Sequence, residues 1–181
     1  MTQPDDSRRF TAIYSAHHRQ VYAYAVGRAG RDLADDVVGD TFLVAWRRLD
    51  AVPAAALPWL LGVARNVIRD RYRDEVRQAD VAAELRAWVD EAERDVADGV
   101  TERAAVLTAL GRLGEQDREL LTLVAWHGLA AREAARVVGC STATYFVRLH
   151  RTRRRLEQAM SPPSGAARRA TPAPAIEEIA R

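Results

Sequence analysis

Residues 129–156 read LAAREAARVVGCSTATYFVRLHRTRRRL and predict two helices joined by a tight turn. Small apolar side chains share one face of the first helix, at Leu129, Ala134, Ala135 and Val138. Gly139 can adopt the left-handed conformation that ends a helix, and Ser141 is a preferred N-cap for the next one. Because the residue at 135 is small, the two helices can cross closely. This stretch therefore predicts a helix-turn-helix.

The second helix of this motif has an apolar stripe, made of Tyr145, Leu149, Thr152 and Leu156. Its opposite face begins with small residues and continues with arginines. That order suits a helix whose start enters the major groove of DNA while its later turns meet phosphates. We expect DNA contacts from Thr142, Ala143, Thr144, Phe146, Val147, Arg148, His150, Arg151 and Arg154. The alternative is a solvated basic helix end, in which arginine complements the helix dipole.

Composition excludes several classes of protein. The chain has 181 residues, of which 48% are hydrophobic, enough for a packed core. Its one cysteine allows neither an internal disulfide nor a cysteine-rich zinc site, and no catalytic constellation is present, so we expect a non-enzyme without metal or cofactor. No apolar run is long enough for a membrane span. We expect a cytoplasmic protein without membrane insertion.

Charge is distributed unevenly along the chain. Residues 80–102 hold eight acids and two arginines, whereas residues 103–160 hold ten arginines and five acids. An acidic connector followed by a basic module is typical of a chain whose last domain faces nucleic acid.

The N-terminal half predicts two amphipathic helices. The first runs from about Ser7 to Arg28 and is ended by Gly27 and Gly30. The second begins with Asp32 as its cap. Its outer surface mixes Asp36, Gly39, Asp40, Leu43 and Arg47. An ordinary solvated helix and a docking surface explain this mixture equally well.

A third helix, PWLLGVARNVIRDRYRDEVRQ, spans residues 58–78 and places Pro58 in its first turn. Its outer face presents Trp59, Arg65, Asn66, Arg69 and Arg73. Arginine for phosphates, an aromatic ring for stacking and an amide for base edges together favour a surface for single-stranded nucleic acid. A solvated helix would also show arginines.

These elements predict an all-α fold of two small helical domains joined by an acidic linker. The boundaries are 1–78 for the first domain, 79–101 for the linker, 102–160 for the second domain and 161–181 for a disordered tail rich in Pro, Ala and Ser. In the second domain we expect Ala105 and Ala125 to face inward.

Three stretches together resemble the extracytoplasmic-function sigma factors, the compact promoter-recognition subunits of bacterial RNA polymerase. They are ADDVVGDTFLVAWRRL, PWLLGVARNVIRDRYR, and the unit from LGRLGEQDRELLTL through GCSTATYFVRLHRTRRRL. With the first helix, the resemblance covers nearly all of residues 7–158.

The resemblance implies a mechanism. The second helix would dock on the clamp helices of the largest polymerase subunit through Asp35, Asp36, Asp40, Leu43 and Arg47. The third helix would hold the separated strand of the minus-ten element, with the loop at 50–57 pocketing an extruded base. The helix-turn-helix would bind the minus-thirty-five element, and its domain would contact the flap of the second-largest subunit. An anti-sigma factor is a further expected partner.

This chain departs from the family pattern at two places. Tyr145 and Phe146 stand where a small aliphatic and a basic residue are usual, and Gly39 replaces a polar helix former. The main alternative function is a helix-turn-helix regulator that never joins polymerase. A third is an interaction module that merely keeps the sigma-factor shape.

Overall fold

The computed structural model describes residues 4–72 and 100–160, with side chains from Asp5 and from Ala105 onward in the two ranges. Every regular element in these ranges is helical, which confirms the predicted all-α class. The predictions for Arg73, for most of the linker and for the tail at 161–181 lie outside the described residues.

Three helices form the N-terminal unit: α1 (Pro4–Ala29), α2 (Arg31–Arg47) and α3 (Ala56–Arg71). A single residue, Gly30, separates the first two and has a φ of 87°. That left-handed conformation favours glycine. The predicted cap at Asp32 is wrong, because so short a turn makes Gly30 the N-cap and puts Asp32 inside the first helical turn.

The core of this unit forms where α1 packs on α2 and both pack on α3. Its centre consists of Val21, Ala25, Val37, Leu60 and Ala64, all fully buried. Aromatic rings extend the core along α1. Phe10 meets Trp46 edge-on at a centroid distance of 5.0 Å, and Tyr14 lies 4.7 Å from Phe42. The α1–α2 pair is thus held along most of its length.

Four helices form the C-terminal unit: α4 (Val100–Arg112), α5 (Glu115–Ala125), α6 (Ala131–Val138) and α7 (Thr142–Met160). Buried Arg118 joins the first two by donating to the carbonyl oxygens of Leu110, Gly111 and Leu113, at 3.1–3.3 Å. These carbonyl groups lie at the C-terminal end of α4, where they have few intrahelical hydrogen-bond donors. The guanidinium of Arg118 supplies those hydrogen bonds instead. Ala105 and Ala125 are exposed, contrary to the prediction that they face inward.

The helix-turn-helix has the predicted turn. Gly139 is left-handed, with a φ of 73°, and Ser141 Oγ accepts a hydrogen bond from the N–H of Thr144 at 3.1 Å. At the other end of α6, the Glu133 carboxylate accepts from the N–H of Ala130 at 2.9 Å, as in half of a capping box. The turn glycine, the cap and the apolar stripe are therefore all confirmed.

The two units pack against each other. α3 lies on α6, and buried residues of both units belong to one continuous cluster. Within the described ranges, no helix has the length and apolar character needed to cross a membrane.

Candidate nucleic-acid interface

The outer face of α7 is open to solvent. Phe146 and Val147 are 57% and 52% exposed, which is unusual for large apolar side chains. The same face exposes Thr142, Ala143, Thr144, His150, Arg151 and Arg154. These eight residues were all predicted to contact DNA, and the structure places them on one side of one helix.

Arg148 differs from its predicted neighbours. It is half-buried, and its Nη2 donates to Gln116 Oε1 of α5 at 3.3 Å. Arg148 therefore lies at the edge of the exposed face, between the solvent and the body of the unit.

The inner face of α7 is fixed to α5 by three polar contacts. The hydroxyl of buried Tyr145 donates to the carbonyl oxygen of Leu120 at 2.7 Å, and burial raises the pKa of Tyr145 to about 12. Thr152 Oγ1 donates to Asp117 Oδ1 at 2.8 Å, and Arg155 forms an ion pair with the same carboxylate. Tyr145 is thus a core residue. Of the two residues at which this helix departs from the family pattern, only Phe146 lies on the outer face.

The predicted strand-binding residues of α3 do not form one surface. Asn66 is exposed, and exposed Arg69 pairs with neighbouring Asp70 at 2.8 Å. Trp59 is half-buried and packs against the core. The Arg65 side chain is mostly covered, and its Nε donates to Glu119 of α5 at 2.9 Å.

The loop before α3 is held from α1. A short 3₁₀ turn at Leu49–Ala51 leads to Val52, whose carbonyl oxygen accepts from Arg9 Nη2 at 2.8 Å. Val52 is buried, whereas Pro53, Ala54 and Ala55 are exposed. The tip of the loop is therefore accessible while its base is fixed.

The predicted docking surface on α2 is only partly free. Asp35, Asp36 and Arg47 are exposed, and Leu43 is 42% exposed. Asp40 instead accepts from Arg71 Nη1 at 2.6 Å and from the Tyr72 hydroxyl at 2.9 Å. Burial and the hydrogen bond to Asp40 raise the pKa of Tyr72 to about 12, so Tyr72 remains a neutral donor. Asp40 ties α2 to the end of α3.

Sequence reasoning missed a polar cluster between the two units. Its members are Tyr24 and Arg28 of α1, Arg65 of α3, and Glu115 and Glu119 of α5. Tyr24 and Arg28 are one helical turn apart and flank Ala25 of the core. That spacing could have indicated a polar patch beside the buried face, but the sequence pattern carries no information about Glu119, which is 95 residues from Tyr24.

Comparison with known proteins identifies the family. Residues 13–78 match the sequence profile of Sigma-70 region 2, and residues 103–156 match that of Sigma-70, region 4. The RNA polymerase sigma factor NccH of Alcaligenes xylosoxydans xylosoxydans is 31% identical over 179 residues, covering 86% of this chain and 95% of NccH. CnrH of Cupriavidus metallidurans is 34% identical over 182 residues, covering 84% of this chain and 94% of CnrH.

The chain belongs to the extracytoplasmic-function sigma factors of the sigma-70 family.

A third relative of this sigma factor is longer. The ECF RNA polymerase sigma factor BldN of Streptomyces coelicolor is 32% identical over 144 residues, but these cover 76% of this chain and only 54% of BldN. The chain thus spans about half of BldN and nearly the full length of NccH and CnrH.

Solved structures agree with the family. The structure of CnrH in complex with the cytosolic domain of CnrY matches with a TM-score of 0.58 at 28% identity, over 84% of this chain and 87% of that one. The sigma factor RpoE of Bartonella quintana, solved with the anti-sigma factor NepR, matches with a TM-score of 0.62 at 23% identity, over 83% and 96% of the two chains, and shows a shared fold. As a sigma factor, the chain directs promoter recognition and transcription initiation by RNA polymerase.

Proposed function

We propose that this sigma factor recognises its promoter at two separate places and opens the DNA at the downstream one. The single observation that carries this proposal is the outer face of α7, where an exposed apolar patch at Phe146 and Val147 lies beside exposed arginines. Apolar side chains contact the thymine methyl in the major groove, and arginines bind the flanking phosphates. α7 therefore binds the upstream (minus-thirty-five) element.

The downstream (minus-ten) element is assigned to α3 and the loop before it. Exposed Asn66 offers an amide to base edges, and Arg69 offers charge to phosphates. The loop tip from Pro53 to Ala55 is accessible and supported at its base by Arg9. An extruded base can lie there, because new contacts offset the cost of unstacking it.

Attachment to core polymerase is assigned to α2. Exposed Leu43 lies about one helical turn before Arg47 and about two turns after Asp35 and Asp36 on the same helix. This surface combines an apolar contact with charges of both signs. These residues dock on the clamp helices of the largest subunit. Asp40, already paired with α3, positions the helices rather than contacting the polymerase directly. The C-terminal unit contacts the flap of the second-largest subunit.

The partners of this factor also include an anti-sigma factor. Support comes from CnrH, which was solved with the cytosolic domain of CnrY, and from RpoE, which was solved with NepR. The chain itself acts as an initiation factor and supplies no catalytic group.

Run-off transcription tests the function directly. Purified chain is added to core polymerase on a library of genomic fragments, and we expect transcripts from a defined set of promoters that core enzyme alone does not produce. Tight binding of the free chain to duplex DNA without any transcript would instead support the regulator without polymerase.

The strand-binding role of α3 is tested separately with Asn66→Ala. We expect promoter opening, followed by permanganate reactivity of unpaired thymines, to fall at least tenfold while closed-complex binding changes less than twofold. Gln158→Ala, which removes an exposed amide near the end of α7, is the matched control. Equal losses in opening and closed binding would contradict the assignment.

A further inference from the structure

A buried carboxylate joins the two units of this protein. Glu119 of α5 is only 2% exposed. Its Oε1 accepts hydrogen bonds from the Tyr24 hydroxyl at 2.7 Å and from Arg65 Nε at 2.9 Å, and its Oε2 lies 3.8 Å from Arg28 Nη2. All three partners come from the N-terminal unit. Hydrogen-bond donors and cations of the N-terminal unit therefore take the place of water around this carboxylate.

Such a contact is stable only while all its members are present. Removing a carboxylate from water is expensive, and the cost is offset only when cations and hydrogen-bond donors surround it. Burial raises the pKa of Tyr24 well above its ordinary value, so the hydroxyl keeps its proton and remains a donor. Loss of one partner leaves the buried charge less fully compensated, which favours separation of the units.

Arg28 lies beside a small cavity at the edge of this contact. Arg28 Nη1 lies 2.6 Å from Glu115 Oε1, within ion-pair distance, yet Nη1 and Nε are buried without a hydrogen bond of good geometry. A small cavity of about 40 Å³ beside them, lined by Tyr24, His127 and Trp126 among others, has room for water. A water molecule there would complete the hydrogen bonding of the Arg28 guanidinium.

The same contact uses a residue assigned to DNA. The sequence pattern predicts Arg65 as a strand-binding residue of α3, and in this structure its guanidinium is held by the Glu119 carboxylate. α6 packs directly on α3 as well. A DNA strand lying along α3 would therefore compete with the C-terminal unit for the same surface.

We propose that the surface formed by Tyr24, Arg28 and Arg65 is a docking site for the chain's own C-terminal unit, and that Glu119 occupies this site in competition with the promoter strand. The second half of this statement rests on the proposed strand-binding role of α3. The 27 residues between Tyr72 and Val100 reach about 90 Å if extended. The chain is thus long enough for the units to part and bind separate promoter elements.

Spin labels measure the docking in the full chain. Cys140→Ser removes the single native cysteine, and Ser15→Cys on α1 with Gln158→Cys on α7 place labels at two exposed positions. Electron–electron distance measurement should give one narrow distribution for this parent. Glu119→Gln, which keeps an acceptor but removes the charge, should shift at least half of the population to longer and broader distances.

Two further variants separate opening from misfolding and from background effects. Tyr24→Phe removes only one hydroxyl and should also broaden the distribution, with unchanged helicity by circular dichroism. Asp5→Asn, which neutralises an exposed acid in the first turn of α1, is the matched control and should retain the narrow distribution. If both Glu119→Gln and Tyr24→Phe keep the narrow distribution of the parent, the docking site is overturned.

Dilution identifies the occupant. Mixing labelled chain with a tenfold excess of unlabelled chain leaves an intramolecular distance unchanged. Loss of the short distance on dilution would mean that the C-terminal unit of a second copy fills the site, which contradicts the proposal.

DNA binding tests the competition. The probe is a fluorescent oligonucleotide with the non-template minus-ten strand of a promoter mapped by run-off transcription. Glu119→Gln should bind it at least fivefold more tightly than the native chain, and adding Arg65→Ala should remove that gain. Opening without a gain in affinity would overturn the competition and count against the strand-binding role of Arg65, whereas the distance measurement would still support docking.

Discussion

His127 at the end of α5 packs edge-on against Tyr24 of α1, with ring centroids 5.7 Å apart and planes at 67°. This contact places a titratable ring inside the interface between the two units. Burial lowers the pKa of His127, because the imidazolium loses hydration there. In a separated C-terminal unit the ring would return toward its ordinary pKa of about 6.5.

The closed arrangement should therefore weaken in acid. Because the closed state holds His127 neutral, protons bind preferentially to the open state, so closure is favoured fully above about pH 6.5 and lost progressively below it. Arg28 and Arg118 line the same cavity and would repel an imidazolium, and the carboxylates of Glu115 and Glu119 also face it.

The measurement is the distance between the two spin labels at pH 7.5 and at pH 5.5. We expect the long-distance population to grow at least threefold at the lower pH. His127→Gln should remove this dependence, whereas His150→Gln, on the exposed face of α7, should retain it. Identical distributions at the two pH values in the native chain would show that His127 does not bias the equilibrium.

Tyr145→Phe should destabilise the C-terminal unit modestly. The substitution removes the buried hydrogen bond to the carbonyl oxygen of Leu120 but leaves the ring in place. A lost hydrogen bond of this kind costs about 1 kcal/mol of the free energy of unfolding, measurable by urea denaturation. Tyr22→Phe, whose hydroxyl has no hydrogen bond to the described residues, is the control. A loss equal in both variants would mean that the Tyr145 hydroxyl contributes nothing specific.

Gly39→Ala should stabilise the N-terminal unit. Gly39 lies inside α2, and a Cβ added there would meet no atom within 4 Å in the described residues. Replacing a helix-interior glycine by alanine should then raise the free energy of unfolding by about 1 kcal/mol.

Binding to core polymerase then tests why glycine is present. A fall of threefold or more in affinity, beside the gain in stability, would indicate close approach of the clamp helices at this position. Asp35→Asn on the same helix provides a comparison for the loss of a proposed contact. Unchanged affinity would remove Gly39 from the docking surface.

Local chemistry made the helix-turn-helix predictable. Gly139, Ser141 and the stripe through Tyr145 each act within a few residues, through a left-handed turn, a cap and a helical period. The outer face of α7 followed from the same period. Where a turn was shorter than the pattern suggested, the prediction failed, as when Gly30 became the cap in place of Asp32.

Contacts between distant parts of the chain were not predictable in this way. Arg65 was assigned to DNA from its place on an amphipathic helix, and Asp40 was assigned to polymerase for the same reason. The structure pairs them with Glu119 and Arg71, which are 54 and 31 residues away. Helical periodicity shows which residues share a face, but it carries no information about which charge from elsewhere will meet that face.

The arginines of α7 give the sharpest test of the upstream contact, because the salt dependence of DNA affinity reports how many phosphates the protein neutralises. Arg151 and Arg154 are exposed and have no ion pair within the described residues, whereas Arg155 is held by Asp117. Each phosphate contact contributes about 0.9 to the slope of log affinity against log salt concentration.

Arg151→Gln and Arg154→Gln should therefore each reduce the slope for upstream duplex DNA by about 0.9, and the double variant by about 1.8. Arg155→Gln should change the slope by less than half as much, because its charge is already paired, and Arg19→Gln on α1 should not change it. The measurement is fluorescence anisotropy of a labelled duplex titrated with the full chain at several salt concentrations. If the slope is the same for the native chain and the double variant, the exposed face of α7 does not contact the DNA backbone, and the orientation proposed for the helix is wrong.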